Sequence, residues 1–347
     1  MKRNAIHYIY LLAGVFVLLL LSAACERREL TYFEEAEINV EVDWSRSGLS
    51  ESGYGATAMF YPADGGSPMK LLMGNREYTT VRLREGLYRV LVFNRSHDDF
   101  STIAFNGNNF YNFMAQAKQV DTRVDMETKV ETRVIVDAPE ELASDALEEF
   151  EVTETMLGNY KNKNANPGCK SSADSRDAEE TDPNRYVIRF LPAKLTRKVL
   201  VEIRVPGMNN LRSAVGLIEN VSEGVYPATG QPSAERVTQQ FTFDKIEFDP
   251  GSPFDGTISG SCNVFGFDRS LPHRLTLETL LADGKTRTEE TFDTTPEYIL
   301  QENGDILIRI RLTARKLPDV KPEGVPDSGF DVIVDEWGNP IESELPL

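Results

Sequence analysis

Apolar residues fall at every second position from Ile38 through Val40 and Val42 to Trp44, with Asn39, Glu41 and Asp43 between them. A repeat of two belongs to a β-strand with one buried face and fits no amphipathic helix. The alternation returns along the chain. Val81 and Leu83 alternate with Arg82 and Arg84, and Val199, Val201, Ile203 and Val205 with Leu200, Glu202 and Arg204. Leu275, Leu277 and Leu281 repeat it, and Ile306, Ile308, Ile310 and Leu312 close the series. Glu85-Gly86 reads as the turn of a hairpin from residues 81–84 into 87–94, Asp283-Gly284 as a second turn, and Asp64-Gly65-Gly66 as a third. Strands at this spacing, punctuated by turns, predict an all-β fold of sandwich type. Helical periodicity is scarce. The best candidate is 139–150, where Pro139 suits a first turn and Glu140 and Glu141 suit the dipole, and one short helix or a turn is expected there.

At 347 residues the chain has room for about two domains. Residues 158–186 hold no Val, Ile, Leu, Met, Phe or Trp, so they bury little apolar surface. They divide the chain into an N-terminal sandwich (36–157), a polar linker or loop (158–184) and a C-terminal sandwich (185–318). Pro318, Pro322 and Pro326 then lead into a tail, 319–347, in which Phe330, Val332 and Val334 alternate with Asp331, Ile333 and Asp335 before a turn at Gly338-Asn339. By this pattern the tail is a candidate strand, expected either to complete its own domain's sheet or to pair with a partner.

The first residues bear on compartment. Lys2 and Arg3 precede 14 apolar residues from Tyr8 to Leu21, too few for the roughly 20 of a membrane-spanning helix, and the small residues Ser22, Ala23 and Ala24 follow. The ending Leu21-Ser22-Ala23-Ala24-Cys25 resembles the lipobox of bacterial lipoproteins, although Ser22 stands three positions before the Cys where Leu is usual. The resemblance implies a signal peptide (1–24), an acylated Cys25 and a tether (25–35). An ordinary leader cut near Ala24 is the other reading. With 37 Lys and Arg against 55 Asp and Glu, the net charge is −18, which repels phosphate backbones and excludes nucleic acid as a partner. Charge alone does not hold such a chain on an anionic bilayer, whereas acyl chains do. Cys262 shares a strand face with Ile258 and Val264 and reads as a buried thiol, a bridge to Cys169 in the polar stretch being the other reading.

No motif for catalysis, metal or cofactor stands out: the chain has no Gly-x-Ser-x-Gly, no His-Glu-x-x-His and no Cys-x-x-Cys. Gly284-Lys285-Thr286 lacks the earlier Gly of a phosphate loop, Thr279 standing in its place, and reads as a hairpin turn. His97-Asp98-Asp99 reads as a solvated turn. Phe105, Phe110, Tyr111 and Phe113 form the notable aromatic cluster, either packed in a core or stacked on a sugar.

Several segments together resemble a known family. The lipobox-like leader, Val42-Asp43-Trp44, the run Phe60-Tyr61-Pro62-Ala63-Asp64-Gly65-Gly66 and the run from Glu85 to Asn94 are similar to the fimbrial anchor lipoproteins of Bacteroidales, the FimB-type relatives of fimbrillins. Leu195-Thr196-Arg197 entering a Val-rich strand and the closing segment around Trp337 extend the likeness. The resemblance implies two tandem transthyretin-like β-sandwiches on a lipid anchor at the outer membrane, facing either periplasm or exterior. It implies no enzymatic activity. A fimbrial subunit or other β-rich protein would be the partner, held by strand pairing through Val332, Val334 and Trp337. The competing expectation is a surface glycan-binding lipoprotein of a nutrient-uptake system, which would present two or three coplanar exposed aromatic rings.

Overall fold

The computed structural model describes residues 32–50, 55–124, 131–157 and 186–322. The regular elements described are strands and three short 3-10 turns. The first strands are β1 (Glu35–Val42), β2 (Ala56–Pro62), β3 (Met69–Met73), β4 (Tyr78–Arg84), β5 (Gly86–Asn94), β6 (Ile103–Asn106) and β7 (Met114–Ala117). There follow β8 (Gln119–Val124), β9 (Glu131–Asp137), β10 (Ala143–Val152), β11 (Tyr186–Phe190), β12 (Ala193–Lys194) and β13 (Arg197–Val205). Next come β14 (Leu211–Ser222), β15 (Gly224–Tyr226), β16 (Gln231–Pro232), β17 (Arg236–Thr242), β18 (Lys245–Phe248) and β19 (Gly256–Val264). The last are β20 (Arg274–Leu281), β21 (Arg287–Asp293), β22 (Glu297–Leu300) and β23 (Ile306–Thr313).

These strands form five sheets, in the orders β11-β1-β4, β12-β10-β5-β2-β3, β16-β15-β7-β6, β21-β20-β14-β17-β9-β8 and β18-β19-β13-β23-β22. The all-β expectation holds. Alternation becomes burial most plainly in β13, where Val199, Val201, Ile203 and Val205 are fully buried. On that face Val199 lies opposite Cys262 of antiparallel β19 and Ile308 of parallel β23, and Ile203 opposite Ile258 and Leu312. In the six-stranded sheet Gly216 of β14 lies opposite Phe241 of β17, and its missing side chain leaves the room that the Phe241 ring fills.

By contact the described residues fall into two units. One holds 32–38, 82–86, 151–157 and Tyr186. In it Ala36, Ile38 and Leu83 are buried, while Arg82 meets Glu37 and Arg84 meets Glu35 at 3.9 Å in exposed pairs. Such pairs contribute under about 1 kcal/mol each. The other unit holds the rest, including a continuous apolar core in which Met59, Phe93 and Phe113 join Val201, Ile218 and Leu277. Within this unit strands from both sides of the 158–184 stretch pair directly. β9 runs parallel to β17, with Ile135 opposite Thr238, and β7 runs antiparallel to β15, with Ala115 opposite Val225.

Two local expectations are corrected. Glu85-Gly86 turns the chain, but β4 and β5 do not form a hairpin: β4 joins the sheet of β1, and β5 lies between β10 and β2. Burial explains the difference, because β4 buries alternate residues whereas Val90 to Asn94 of β5 are buried consecutively and need cover on both faces. Gly86, at φ 149°, makes the corner. The short helix or turn expected in 139–150 is instead the loop before β10 and most of that strand. Asn94 fixes its start, its Nδ2 donating to Glu141 O at 3.0 Å and its Oδ1 accepting from Ala143 N–H at 2.7 Å.

Candidate strand-docking edge

Strand β18 is the end strand of its sheet, and each of its four residues is exposed. Among the described residues it pairs on one side only, with antiparallel β19: Lys245 with Ser259, Ile246 with Ile258, Glu247 with Thr257 and Phe248 with Gly256. Residues directly opposite in such a ladder share a face. Ile246 and Phe248 therefore sit on the core face, level with the fully buried Ile258, yet each is 52% exposed. Asp249 N–H donates to Asp255 O at 2.9 Å and closes the turn between the two strands. Phe254, in the turn between the two strands, is 60% exposed. A sheet edge with its core side partly uncovered is a template for an added strand.

The outer face of this sheet is charged. Arg311 meets Glu202 at 3.0 Å and Glu297 at 3.4 Å, Arg204 meets Asp249 at 3.0 Å, and Lys245 meets Glu247 at 2.8 Å. The hydrogen bond to Glu247 raises the Lys245 pKa above its ordinary value. Around these side chains lies an open groove of about 580 Å³. Its floor is polar, so apolar docking belongs to the core side of β18 alone.

The chain leaves the described residues beside this edge. Leu317 N–H donates to Pro206 O at 2.9 Å and Val320 N–H to Asn210 Oδ1 at 3.3 Å, while Asn210 Nδ2 donates to Asp319 Oδ1 at 3.1 Å. The neighbouring Asn209 N–H reaches Phe254 O at 3.4 Å, and Met208 packs against Gly256. The turn Met208–Asn210 thus touches both the departing chain and the hairpin end of β18.

Other sequence candidates resolve into structure. Phe110 and Phe113 are buried, and Phe105 stacks on Phe93 at 5.0 Å, on Phe113 at 5.3 Å and on His97 at 4.8 Å. Of the four cluster rings only Tyr111 is exposed, so the cluster packs the core and offers no coplanar platform to a sugar. The turn at 97–99 exposes Asp98 and Asp99 as expected, while the His97 ring is half-buried in the stack and its Nδ1 meets Asp98 at 3.0 Å. Asp283 accepts from Lys285 N–H at 3.0 Å and Thr286 N–H at 2.8 Å, and these bonds together with the Thr286 hydroxyl hold its carboxyl below the usual range. Gly284-Lys285-Thr286 is accordingly a hairpin turn. Cys262 is a buried free thiol whose pKa burial pushes up to about 12. No group of three His, Cys, Asp or Glu among the described residues could hold a metal ion.

Glu140 and Glu141 do tertiary work. Glu140 meets Arg95 at 2.8 Å and accepts from Ser101 N–H at 2.8 Å, Thr102 N–H at 3.0 Å and the Thr102 hydroxyl at 3.2 Å. Glu141 meets Lys194 at 2.6 Å and accepts from Ser50 N–H at 2.7 Å and its hydroxyl at 2.6 Å. Burial alone would raise both carboxyls, but these donors hold each below its ordinary value. The sequence-derived site residues Cys25, Val332, Val334 and Trp337 lie outside the described residues. The β18 edge was missed in the sequence; its signal is a slip of parity, from Phe241 and Phe243 to Ile246 and Phe248, across Asp244-Lys245.

The family profile described as "Domain of unknown function (DUF5119)" matches residues 24–244, more than half of the chain, and the chain belongs to that family. No curated protein matches it. Among solved structures, a candidate adhesin from Bacteroides ovatus is similar over 86% of this chain and 99% of its own, with TM-score 0.52 and 15% identity. That likeness shows the fold. The fimbrial anchor protein Mfa2 from Porphyromonas gingivalis is similar over 81% of this chain and 91% of its own, with TM-score 0.43 and 12% identity. The tip fimbrial protein Mfa3 from the same organism, truncated at its C-terminus, gives 82% and 96%, TM-score 0.36 and 10% identity. At those scores neither fixes anything for this chain.

Proposed function

We propose that the protein is an outer-membrane lipoprotein, acylated at Cys25, that serves as a fimbrial anchor or minor fimbrial subunit and has no enzymatic role. It holds a β-rich fimbrial subunit by strand pairing, with Val332, Val334 and Trp337 of the tail at the contact. The observation that carries this reading is the β18 edge, an end strand with Ile246 and Phe248 half exposed on the core side of an otherwise filled sheet. Strand addition gains main-chain hydrogen bonds along its length, while alternate side chains set register. The lipobox-like leader and the resemblance to fimbrial anchors support it, and an adhesin of similar fold agrees with it. Affinity isolation of the full-length protein from outer membranes, with mass spectrometry of what accompanies it, tests the proposal. A β-rich fimbrial subunit is the expected companion, lost when Val332→Asp is introduced. Recovery of polysaccharide without such a subunit would overturn it.

A further inference from the structure

We infer that a second copy of this chain docks on β18, the two β18 strands pairing antiparallel about a two-fold axis centred on Ile246. The inference uses the same edge as the functional proposal but needs neither the lipid nor a fimbrial subunit, whose strand would have to displace the second copy.

Backbone direction comes first. Asp249 N–H points at β19, where it donates to Asp255 O, and bonding along an antiparallel ladder alternates from residue to residue. Glu247 has the same parity, and its carbonyl oxygen lies against Gly256 of β19. The N–H and C=O groups of Ile246 and Phe248 therefore face the edge that no described strand covers. Such a row pairs with any extended chain, and side chains decide which one.

The side chains of β18 are complementary to themselves. A two-fold axis perpendicular to the sheet keeps each face on its own side, so the axis passes through a residue and pairs its neighbours symmetrically. Centred on Ile246, the two copies of that residue meet on the core face, where each is half exposed, and exchange both main-chain bonds. Phe248 N–H of each copy then reaches Asp244 O of the other. On the outer face each Lys245 stands opposite the second copy's Glu247, in the closer, non-hydrogen-bonded kind of pair. Lys245 Nζ already meets its own Glu247 at 2.8 Å, so two copies close a ring of alternating charges. Other centres set like charges directly opposite, which is destabilising. Lys245 meets itself with the axis on Lys245, Glu247 meets itself with the axis on Glu247, and Glu247 meets Asp249 with the axis on Phe248. Four residues from each copy bury little area, so the dimer is a transient one, with Kd of about 10–100 µM.

Oxidative cross-linking of the full chain tests this, with wild type as the baseline for its native thiols. Opposite residues in a hydrogen-bonded pair lie about 5.5 Å apart at Cα, within the span of a disulfide. At about 100 µM protein, Ile246→Cys should form covalent dimer at least about tenfold above wild type, whereas Glu247→Cys, two residues out of register with its own copy, should not. Glu247→Lys added to Ile246→Cys should abolish the cross-link, and Lys245→Glu added to both should restore it. Each substituted residue is exposed, so the fold tolerates these changes. Hydrogen exchange over residues 245–248 of the wild type should slow as protein concentration rises. A yield no greater than wild type, a stronger cross-link in Glu247→Cys than in Ile246→Cys, failure of the charge swap to restore it, or exchange independent of concentration would each overturn the inference. Absence of a fimbrial subunit in the membrane isolation would sink the functional proposal and leave the cross-link standing, whereas a missing cross-link leaves the functional proposal intact.

Discussion

Replacing Glu140 with Gln tests how the segment before β10 is held. The Glu140 side chain is 21% exposed and its partner Arg95 is 16% exposed, so their contact at 2.8 Å is poorly screened. The other carboxylate oxygen accepts from Ser101 N–H, Thr102 N–H and the Thr102 hydroxyl. Gln keeps the shape but has one acceptor oxygen. If that oxygen stays with Ser101 and Thr102, an amide NH₂ faces the Arg95 guanidinium and the charged hydrogen bond is lost. Hydrogen bonds to charged groups contribute about 1.5–3 kcal/mol, so Glu140→Gln should cost about 2–3 kcal/mol at pH 7. At about 2 °C per kcal/mol for a chain of this size, the melting temperature should fall about 5 °C, read by circular dichroism. The pH dependence carries the sharper test. The folded-state pKa of Glu140 is lowered, so its contribution is complete above the unfolded value near about 4.3 and disappears as pH falls through the lower folded value. The gap between wild type and variant should therefore close in acid, and Glu141, present in both, cancels. A gap below about 0.5 kcal/mol at pH 7, within the range of ordinary surface substitutions, or one that persists undiminished in acid, would refute the reasoning.

Two further outcomes follow. Trypsin should cut first within 158–184, where Lys161, Lys163, Lys170 and Arg176 lie in an apolar-poor stretch, and the two fragments should co-elute because β9 pairs with β17 and β7 with β15; separate elution would favour two independent sandwiches. Cys25→Ala should abolish labelling by a fatty-acid probe and release the protein from the membrane fraction, and equal labelling of the variant would rule out acylation at that residue.

Strands β13 and β23 were legible because each buries one face, so Val199 to Val205 and Ile306 to Leu312 carry their environment in their spacing. The turn at Asp283-Gly284 was legible for a similar reason: its hydrogen bonds close within the turn and the ends of its hairpin. What local pattern could not supply was the identity of the pairing strand. Glu85-Gly86 announces a change of direction, but which sheet receives β5 depends on β10 and β2, distant in sequence. Glu140 and Glu141 looked like a helix start, yet their donors, Ser50, Arg95, Thr102 and Lys194, lie about 40–90 residues away. Strand β18 escaped notice because it is four residues long, wholly exposed and bounded by Asp244 and Asp249. Its meaning lies in what it leaves uncovered. The aromatic cluster was visible as composition, and the fold decided between its two readings by turning Phe110 and Phe113 inward.

The central claim is that this protein acts by strand pairing with a β-rich fimbrial subunit. A photo-cross-linking residue at position 334, in the full-length protein on living cells, interrogates that contact directly. The account predicts a covalent adduct with a fimbrial subunit, absent when the neighbouring Val332 is also changed to Asp. An adduct pattern unchanged by Val332→Asp, or the lack of any adduct with a fimbrial subunit, would contradict it.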